Sequence, residues 1–336
     1  MLSCFTILSF YPNQGDTIDE TSSHVELVDS EQSNRYIGIV TSDNKWENLD
    51  FDKYMAEKEA KKKEEEEVRI FNETMKQQYG VENILLIGID TRSKNLKSGR
   101  ADTIMVASID SNKSTIKLIS IMRDTYVQIP RYKSNRINAT YAFGGPELLM
   151  TTIEKNFNIP IDKYIVVNFY NFEKVIDTLG GVNVNIKPYE IKAVNSCLAG
   201  LKRSTSNYIK NSGVQLLNGA QALAYCRIRK VGNGDYERTE RQRAVIENLI
   251  NQFQDLSISK YPSLIATVYP NVMTNLSLKD CINLARFYLS KDSWNIEGIQ
   301  IPNDSTGKAR TIRSMYVIYP NIQECNRLIH NFLSEK

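Results

Sequence analysis

Residues 83–124 read NILLIGIDTRSKNLKSGRADTIMVASIDSNKSTIKLISIMRD and contain three short apolar runs. The runs cover residues 84–89, 102–109 and 115–121, are rich in β-branched side chains and are bounded by polar residues, as is typical of buried strands. The polar link at residues 110–114 is short enough for a hairpin, so we expect the second and third strands to pair antiparallel. The sequence therefore predicts a sheet built around these strands.

Four charged residues flank the three strands: Asp90, Arg100, Asp102 and Arg123. An antiparallel hairpin brings the start of one strand and the end of the next to one edge, and the loop after the first strand returns there. We therefore expect the four residues to converge on one rim. Such a mixed cluster suits a phosphate bound together with a metal ion, because arginine binds phosphate bidentately and paired aspartates hold a hard divalent cation. The alternative for any one of them is a charge at a solvated strand end.

A second group of charges lies within residues 225–243. If residues 225–230 are extended, Arg227 and Arg229 project to one face, with Cys226 and Ile228 opposite. These two guanidinium groups are the second set of candidates for binding an anion.

The following segment, residues 238–253, has the apolar periodicity of a helix. Its stripe contains Val245, Ile246, Leu249 and Phe253. Counting back by three and four residues places Gln242 and Arg238 on the same stripe. A guanidinium group on a core-facing stripe needs a partner or an anion, because burying it unpaired is costly. A solvated helix face fits Arg241 and Arg243 better.

The remaining pattern alternates strands with helices, which predicts an α-β-α sandwich with a central mixed β-sheet. We expect helices at residues 146–157, 278–289 and 321–333, and strands at residues 164–168, 182–186 and 296–301. Asn171 is the expected N-cap of a helix that ends at Gly180 and Gly181. Residues 187–213 are polar, and we expect an irregular surface excursion there. Residues 256–336 are expected to complete the same sandwich.

The chain divides by composition into residues 1–49, a linker with a strand-like island at residues 36–40, residues 50–80, and a globular part at residues 81–336. The lysine- and glutamate-rich residues 51–78 predict a helix about 40 Å long. It is either a stalk or a peripheral surface helix. Residues 1–11 are apolar but too short to cross a bilayer. We expect them to be the end of an anchor helix that begins upstream; the alternatives are an unanchored protein and a frayed terminus.

Composition excludes several classes of site. The net charge of +3 does not indicate nucleic-acid binding. The five cysteines include no CxxC pair, which removes support for zinc or thioredoxin-like chemistry. With only two histidines, His24 and His330, histidine-based catalysis has little support.

Several ordered segments resemble the LytR-CpsA-Psr family of cell-envelope proteins: GIDTR, GRADTIMVASID, ISIMRDTYVQIP, RINATYAFGGPELLMTTIEKNF, GVQLLNGAQALAYCRIRK and DYERTERQR. The resemblance covers roughly residues 81–254 and continues more weakly to about residue 332. It differs from the family in DYER, where glycine usually precedes the arginine, in the asparagine of LNGAQAL, where aspartate is common, and in lacking a complete anchor at the start.

The resemblance implies a phosphotransferase at the outer face of the membrane of a Gram-positive-type cell. It would move a glycopolymer, such as teichoic acid or capsular polysaccharide, from a polyprenyl pyrophosphate carrier to an acceptor such as peptidoglycan. Asp90 and Asp102 would hold Mg²⁺, with Mn²⁺ as an alternative. Arg100, Arg123, Arg227, Arg229 and Arg238 would act on the pyrophosphate in catalysis, and Gln242 would contact it.

Two rival functions remain open. A non-catalytic module that sequesters lipid-linked glycan would share every feature above and would differ only in turnover. A nucleic-acid-binding regulator is the other, but the near-neutral charge, the lack of a helix-turn-helix pattern and the aspartates inside the basic cluster argue against it. We expect no nucleic-acid partner.

Overall fold

The computed structural model describes residues 25–28, 36–40, 46–50, 56, 59, 81–91, 96, 99–110, 112–254, 256, 258–291 and 293–334. The chain forms two compact units, Met1–Thr74 and Met75–Lys336. In the first unit, β1 (Val25–Val28), β2 (Tyr36–Val40) and β3 (Trp46–Asp50) form an antiparallel sheet in that order, which includes the expected strand at residues 36–40.

The expected anchor at residues 1–11 lies outside the described residues. So does the expected helix at residues 51–78, apart from Ala56 and Glu59, which are helical. Within the described part of the chain, no helix is both long enough and apolar enough to span a bilayer.

The second unit contains twelve strands and eight α-helices among its described residues. Its strands are β4 (Val81–Ile89), β5 (Ala101–Asp110), β6 (Thr115–Ile121), β7 (Tyr126–Val127), β8 (Asn135–Arg136), β9 (Lys163–Asn168), β10 (Val182–Ile186), β11 (Gly213–Leu217), β12 (Met273–Thr274), β13 (Asn295–Ile301), β14 (Gly307–Ile312) and β15 (Met315–Pro320). Its helices are α1 (Ile137–Phe157), α2 (Phe169–Thr178), α3 (Ile191–Gly200), α4 (Gly219–Cys226), α5 (Asp235–Gln254), α6 (Tyr261–Val268), α7 (Leu278–Leu289) and α8 (Ile322–Ser334).

Six of these strands form one mixed sheet in the order β12-β9-β4-β5-β6-β13. Strands β4, β5 and β6 pair antiparallel, as the three apolar runs predict, whereas β9 pairs with β4 and β13 with β6 in parallel. The expected mixed sheet is confirmed. Three small two-stranded sheets accompany it: β10-β11, β7-β8 and β14-β15.

The two faces of the central sheet are packed differently. Leu85, Ile87 and Ile89 share one core with residues of α1 and α8. On the other face, Met105 and Leu118 pack around Trp294 and meet side chains of α5 and α7. A separate core joins β10 and β11 to α2, α3, α4 and α5. The helices thus lie on both faces of the sheet, in the sandwich arrangement.

Two local expectations are wrong. Residues 187–213 contain the helix α3, in which Val194 and Leu198 are fully buried. Their spacing of four residues makes a narrow apolar stripe, and the polar residues around it conceal that stripe in the composition. Asn171 is not a cap, because α2 begins earlier, at Phe169, and the Asn168 side chain accepts a hydrogen bond from the Asn171 backbone N–H at 2.8 Å.

Candidate active site

A cavity of about 760 Å³ lies between the central sheet and helices α2 to α5. Its walls are mostly apolar. The strands contribute Leu86, Gly88, Thr103, Met105, Ile165 and Val167, and the helices contribute Phe172, Val175, Ala193, Cys197, Gly200, Leu223, Ile246 and Leu249. Six of the eight predicted site residues also line it, namely Asp90, Asp102, Arg227, Arg229, Arg238 and Gln242. An apolar chamber therefore meets a group of charged residues, as a ligand with a long apolar tail and an anionic head requires.

Asp102 is the centre of the charged group. Its Oδ1 accepts a hydrogen bond from Arg123 Nη1 at 2.8 Å, and its Oδ2 accepts one from Arg229 Nη2 at 3.2 Å. Its backbone carbonyl accepts from Arg238 Nη2 at 3.4 Å. Burial alone would lower the pKa of Arg123, but Asp102, with Asp124 and Asp235 beyond it, raises it. The aspartate thus holds three guanidinium groups together and keeps Arg123 charged.

Arg238 is buried, with 2% of its surface exposed, and is incompletely paired. Its Nη1 lies 3.0 Å from Asp235 Oδ1, yet the N–H is not aligned for a hydrogen bond, and neither Nη1 nor Nε has a hydrogen-bond partner among the described residues. Burial lowers the pKa of Arg238 to about 10, and the neighbouring Arg123 contributes to the shift. A buried cation with unused donors is costly unless an anion binds to it.

Arg227 and Asp90 lie at the more open part of the group. The Arg227 guanidinium is 4.2 Å from the centroid of the Phe169 ring, which is a cation–π distance, and its Nη1 is 4.0 Å from Asp90 Oδ1. The Asp90 side chain is 51% exposed. The ring fixes the plane of the Arg227 guanidinium, whereas Asp90 has a carboxylate largely open to solvent.

Local sequence explains how these side chains reach one place. Helix α4 starts at a capping box of Asn218 and Gln221, so the asparagine that departs from the family pattern still caps the helix. The chain leaves α4 at Arg227 and turns into α5 through Gly232 and Gly234, whose φ angles of 65° and 57° suit glycine. The turn carries the arginines past the cavity.

The expectation that residues 225–230 are extended is wrong, because residues 225 and 226 end a helix and Arg227 is its C-cap with φ −101° and ψ −3°. Arg227 and Arg229 nevertheless both line the cavity, as do Cys226 and Ile228; Ile228 is 1% exposed and also belongs to the adjoining core. The two arginines thus reach the cavity without a strand, but the expected placement of Cys226 and Ile228 on the opposite face is wrong.

Arg241 is not on a solvated face, as the sequence led us to expect; 3% of it is exposed. Its Nε donates to Glu190 Oε1 at 2.7 Å, its Nη2 to Glu237 Oε2 at 2.5 Å, and its Nη1 to the Ile228 carbonyl at 3.3 Å. Because Ile228 lies between Arg227 and Arg229, Arg241 fixes the segment that carries both arginines.

The other predicted residues take varied positions. Gln242 donates from Nε2 to the Cys226 carbonyl at 3.3 Å and lines the cavity. Arg123 reaches the group through Asp102 without lining the cavity, whereas the Arg100 side chain is exposed and its backbone carbonyl accepts from the Asp90 N–H at 3.0 Å. The predicted rim therefore forms around Asp90, Asp102 and Arg123, and Arg100 contributes backbone to it.

Sequence reasoning missed Asp235, Phe169 and Lys192 as members of the site. Asp235 lies 3.9 Å from Arg123 and 3.7 Å from Arg229. Phe169 and Lys192 line the cavity. Asp235 had a usable signal, because it stands three residues before Arg238, within one helical turn. Lys192 had none, because α3 itself was not expected.

The two predicted metal ligands are compatible with a hard cation. Asp90 and Asp102 line the same cavity, and Mg²⁺ commonly takes only one or two protein carboxylates, with waters and substrate phosphates completing its shell. No group of three or more His, Cys, Asp or Glu side chains suited to a metal occurs among the described residues. Asp90 has a carboxylate open to solvent, whereas each Asp102 oxygen already accepts a hydrogen bond from an arginine, so a cation here would share Asp102 with Arg123 and Arg229.

Comparisons with known proteins give the family. Residues 48–331 match the LytR_cpsA_psr family. The polyisoprenyl-teichoic acid–peptidoglycan teichoic acid transferase TagU of Enterococcus faecalis is 37% identical over 212 residues, 62% of this chain and 66% of that relative, so the chain spans just under two thirds of its length.

Solved structures of other proteins resemble the fold of this chain. Among them is TagT bound to LI-WTA, with a TM-score of 0.62 and 30% identity. Another is the LytR-CPS2A-psr family protein YwtF (TagT) with bound octaprenyl pyrophosphate lipid, with a TM-score of 0.58 and 28% identity. Each of the two matches covers 76% of this chain and 91% of the solved chain. TagT is a Bacillus subtilis protein. This chain therefore belongs to the LytR_cpsA_psr family and has the mixed α/β fold of its solved structures.

Proposed function

We propose that this protein transfers a glycopolymer from a polyprenyl pyrophosphate carrier to a cell-wall acceptor, peptidoglycan, at the outer face of the cell membrane. The observation that carries the proposal is Arg238, a buried guanidinium with unused N–H donors beside an apolar cavity of about 760 Å³. The lipid chain would occupy the cavity, and the pyrophosphate would lie against Arg238, Arg229 and Arg227. The names of the relatives, teichoic acid transferases, support the same class of reaction.

In the proposed reaction, an acceptor hydroxyl attacks the phosphorus nearest the sugar. The new bond joins acceptor oxygen to that phosphorus, the bond to the bridging oxygen breaks, polyprenyl phosphate leaves, and the hydroxyl proton passes to solvent. The arginines would stabilise the charge that develops on the phosphate oxygens, an electrostatic contribution that needs no reorganisation because Asp102 and the Phe169 ring already hold two of them.

Asp90 and Asp102 would hold Mg²⁺, or Mn²⁺ in its place, which would supply further positive charge at the phosphate oxygens. We expect weak metal binding to the free protein and tighter binding in the presence of methylene diphosphonate, a stable pyrophosphate analogue, as measured by calorimetry. Asp90→Asn and Asp102→Asn should each weaken that binding and abolish transfer. Undiminished transfer in excess chelator would rule out the metal.

Transfer itself is tested with a polyprenyl pyrophosphate-linked disaccharide as donor and peptidoglycan fragments as acceptor, with mass spectrometry of both products. The parent protein should release polyprenyl phosphate and form the linked glycan. Arg229→Ala should slow transfer, whereas Arg327→Ala, at an exposed position on α8, should not. Tight donor binding with no product would instead identify a sequestering module.

A further inference from the structure

Arg123, Arg227, Arg229 and Arg238 are called the arginine cluster below. A small hairpin lies beside this cluster and has no role in the proposed chemistry so far. It consists of β14 and β15, and the backbone N–H of Ile318 donates to the Asp124 carbonyl at 2.9 Å. Asp124 follows Arg123 in the chain and lies 3.4 Å from its Nε. Thr125, the next residue in the chain, forms a parallel β-bridge with Ile318. The hairpin is therefore fixed to the segment that carries Arg123.

One face of this hairpin presents aromatic rings and cations. Tyr319 is 42% exposed and stacks on Tyr126 at 6.1 Å between ring centroids, with 23° between the ring planes. The Arg310 guanidinium lies 4.4 Å from the Tyr319 ring centroid, and Lys308 is opposite Tyr319 in the strand register. We call Tyr126, Lys308, Arg310 and Tyr319 the tyrosine–arginine platform.

The platform has unsatisfied positive charge. Lys308 and Arg310 are exposed, and neither has an ion-pair partner among the described residues. By contrast, the exposed Arg327 on α8 forms an ion pair with Glu324 at 2.8 Å. Exposed aromatic faces together with free cations fit a chain that alternates sugar or polyol units with phosphates, because ring faces pack on C–H surfaces and Arg binds phosphate.

The position of the platform indicates which part of a ligand it meets. Tyr126 is three residues after Arg123, so their Cα atoms are at most about 11 Å apart. The cavity accounts for the lipid and the arginine cluster for the pyrophosphate, which leaves the glycan to continue outward. We infer that the tyrosine–arginine platform is a second binding site, for the phosphate-bearing glycan chain of the donor; the donor's identity rests on the proposed function.

Binding of poly(glycerol phosphate) to the whole chain tests the inference, with dextran as an uncharged comparison. The parent protein should bind the polyanion, and Arg310→Gln and Tyr319→Leu should each weaken binding about fivefold, a typical size for an exposed cation–π or charge-assisted contact. Arg327→Gln is the matched control and should bind as the parent does. Methylene diphosphonate should bind equally to all four proteins, because it contacts only the arginine cluster.

With a working transfer assay, the platform variants should raise KM for a donor with many repeating units and leave kcat unchanged, while a donor with one unit should show no difference. No binding of the polyanion by the parent, or equal binding by parent and Arg310→Gln, overturns the inference whether or not transfer occurs. An equal loss in Arg327→Gln overturns it as a general charge effect. If the platform variants lose binding to phosphatidylglycerol vesicles but still bind the polyanion as the parent does, the platform is a membrane contact, and the inference is also overturned. Absence of transfer with these binding differences intact would instead count against the proposed function.

Discussion

Arg238 and Arg241 lie three residues apart on helix α5 and are almost equally buried, at 2% and 3% exposed, but their surroundings differ. Arg241 has a hydrogen-bond acceptor on each of its three side-chain nitrogens: Glu190, Glu237 and the Ile228 carbonyl. Arg238 has one long hydrogen bond, 3.4 Å, to a carbonyl, and two nitrogens without hydrogen-bond partners in the described part of the chain.

The difference separates structure from function within a single turn of helix. A fully satisfied buried cation stabilises the fold only as long as both partners remain, and removing one partner leaves an uncompensated charge. A buried cation with unused hydrogen-bond donors lowers stability, and it is retained where a bound ligand accepts from those donors. We therefore expect Arg241 to support the segment that carries Arg227 and Arg229, and Arg238 to bind the pyrophosphate.

The largest expected effect is on stability, in Arg241→Ala. Glu190 is 1% exposed, so the substitution leaves a buried carboxylate without its cation, and we expect a loss of about 3–5 kcal/mol in the free energy of unfolding. Urea denaturation measures it. Arg327→Ala, on α8, is the control, because Arg327 and its partner Glu324 are both exposed, and it should cost about 1 kcal/mol or less. Equal losses in the two variants would contradict the assignment of Arg241.

The next effect is on catalysis, in Arg238→Ala. It should raise the barrier to transfer by about 2–4 kcal/mol, about 10²–10³-fold in rate, because a donor aimed at the developing charge is lost. Stability should stay the same or rise, since a buried cation with unused donors is removed. Transfer kinetics and urea denaturation on the same samples test both parts. A variant that unfolds readily but transfers normally when folded would make Arg238 structural as well.

The local sequence pattern was enough to predict the central sheet and part of the site. Particular site residues show the limit of such prediction. The ends of β4, β5 and β6 follow from apolar runs and polar boundaries, so Asp90, Asp102 and Arg123 could be placed together. Burial of Arg238 followed from helical spacing. The same spacing includes Arg241, three residues after Arg238 and four before Val245, so its burial was available to sequence reasoning.

What sequence could not supply is the identity of long-range partners. Glu190 is 51 residues from Arg241 and precedes a helix that was not expected. Asp102 is 127 residues from Arg229. Periodicity indicates which face of an element is buried. Whether a buried guanidinium there has all its hydrogen bonds made or only some depends on what another segment presents to that face.

A smaller effect should follow from Glu237→Gln. Glu237 Oε2 accepts from Arg241 Nη2, and its Oε1 accepts from the Asn233 N–H at 3.1 Å, which the amide oxygen of glutamine could replace. Because Glu190 remains, we expect a loss of about 1.5 kcal/mol in the free energy of unfolding, typical of a hydrogen bond to a charged group. A loss as large as that of Arg241→Ala would mean that Glu237, at the position where the family usually has glycine, is the principal partner of Arg241.

The smallest effect, and the most selective, is the pH dependence of two lysine variants. In Arg238→Lys, the burial and the nearby Arg123 that lower the pKa of Arg238 should lower the pKa of the lysine below its ordinary value of about 10.4. In Arg241→Lys, Glu190 and Glu237 favour the charged lysine, so its pKa should not fall in this way.

The direction in which stability and ligand affinity change with pH follows from proton binding. For Arg238→Lys, the unfolded chain binds more protons than the folded chain between the lowered and the ordinary pKa, so stability rises with pH across that window. Affinity for methylene diphosphonate, which needs the cation, falls over the same window by at most tenfold per pH unit. Arg241→Lys should show neither trend from this lysine between pH 7 and 9. Urea denaturation and calorimetry over that range measure both quantities, with the parent protein as baseline. If Arg238→Lys shows the same flat profiles as Arg241→Lys, the two positions do not differ in electrostatic environment, and the distinction between them must be abandoned.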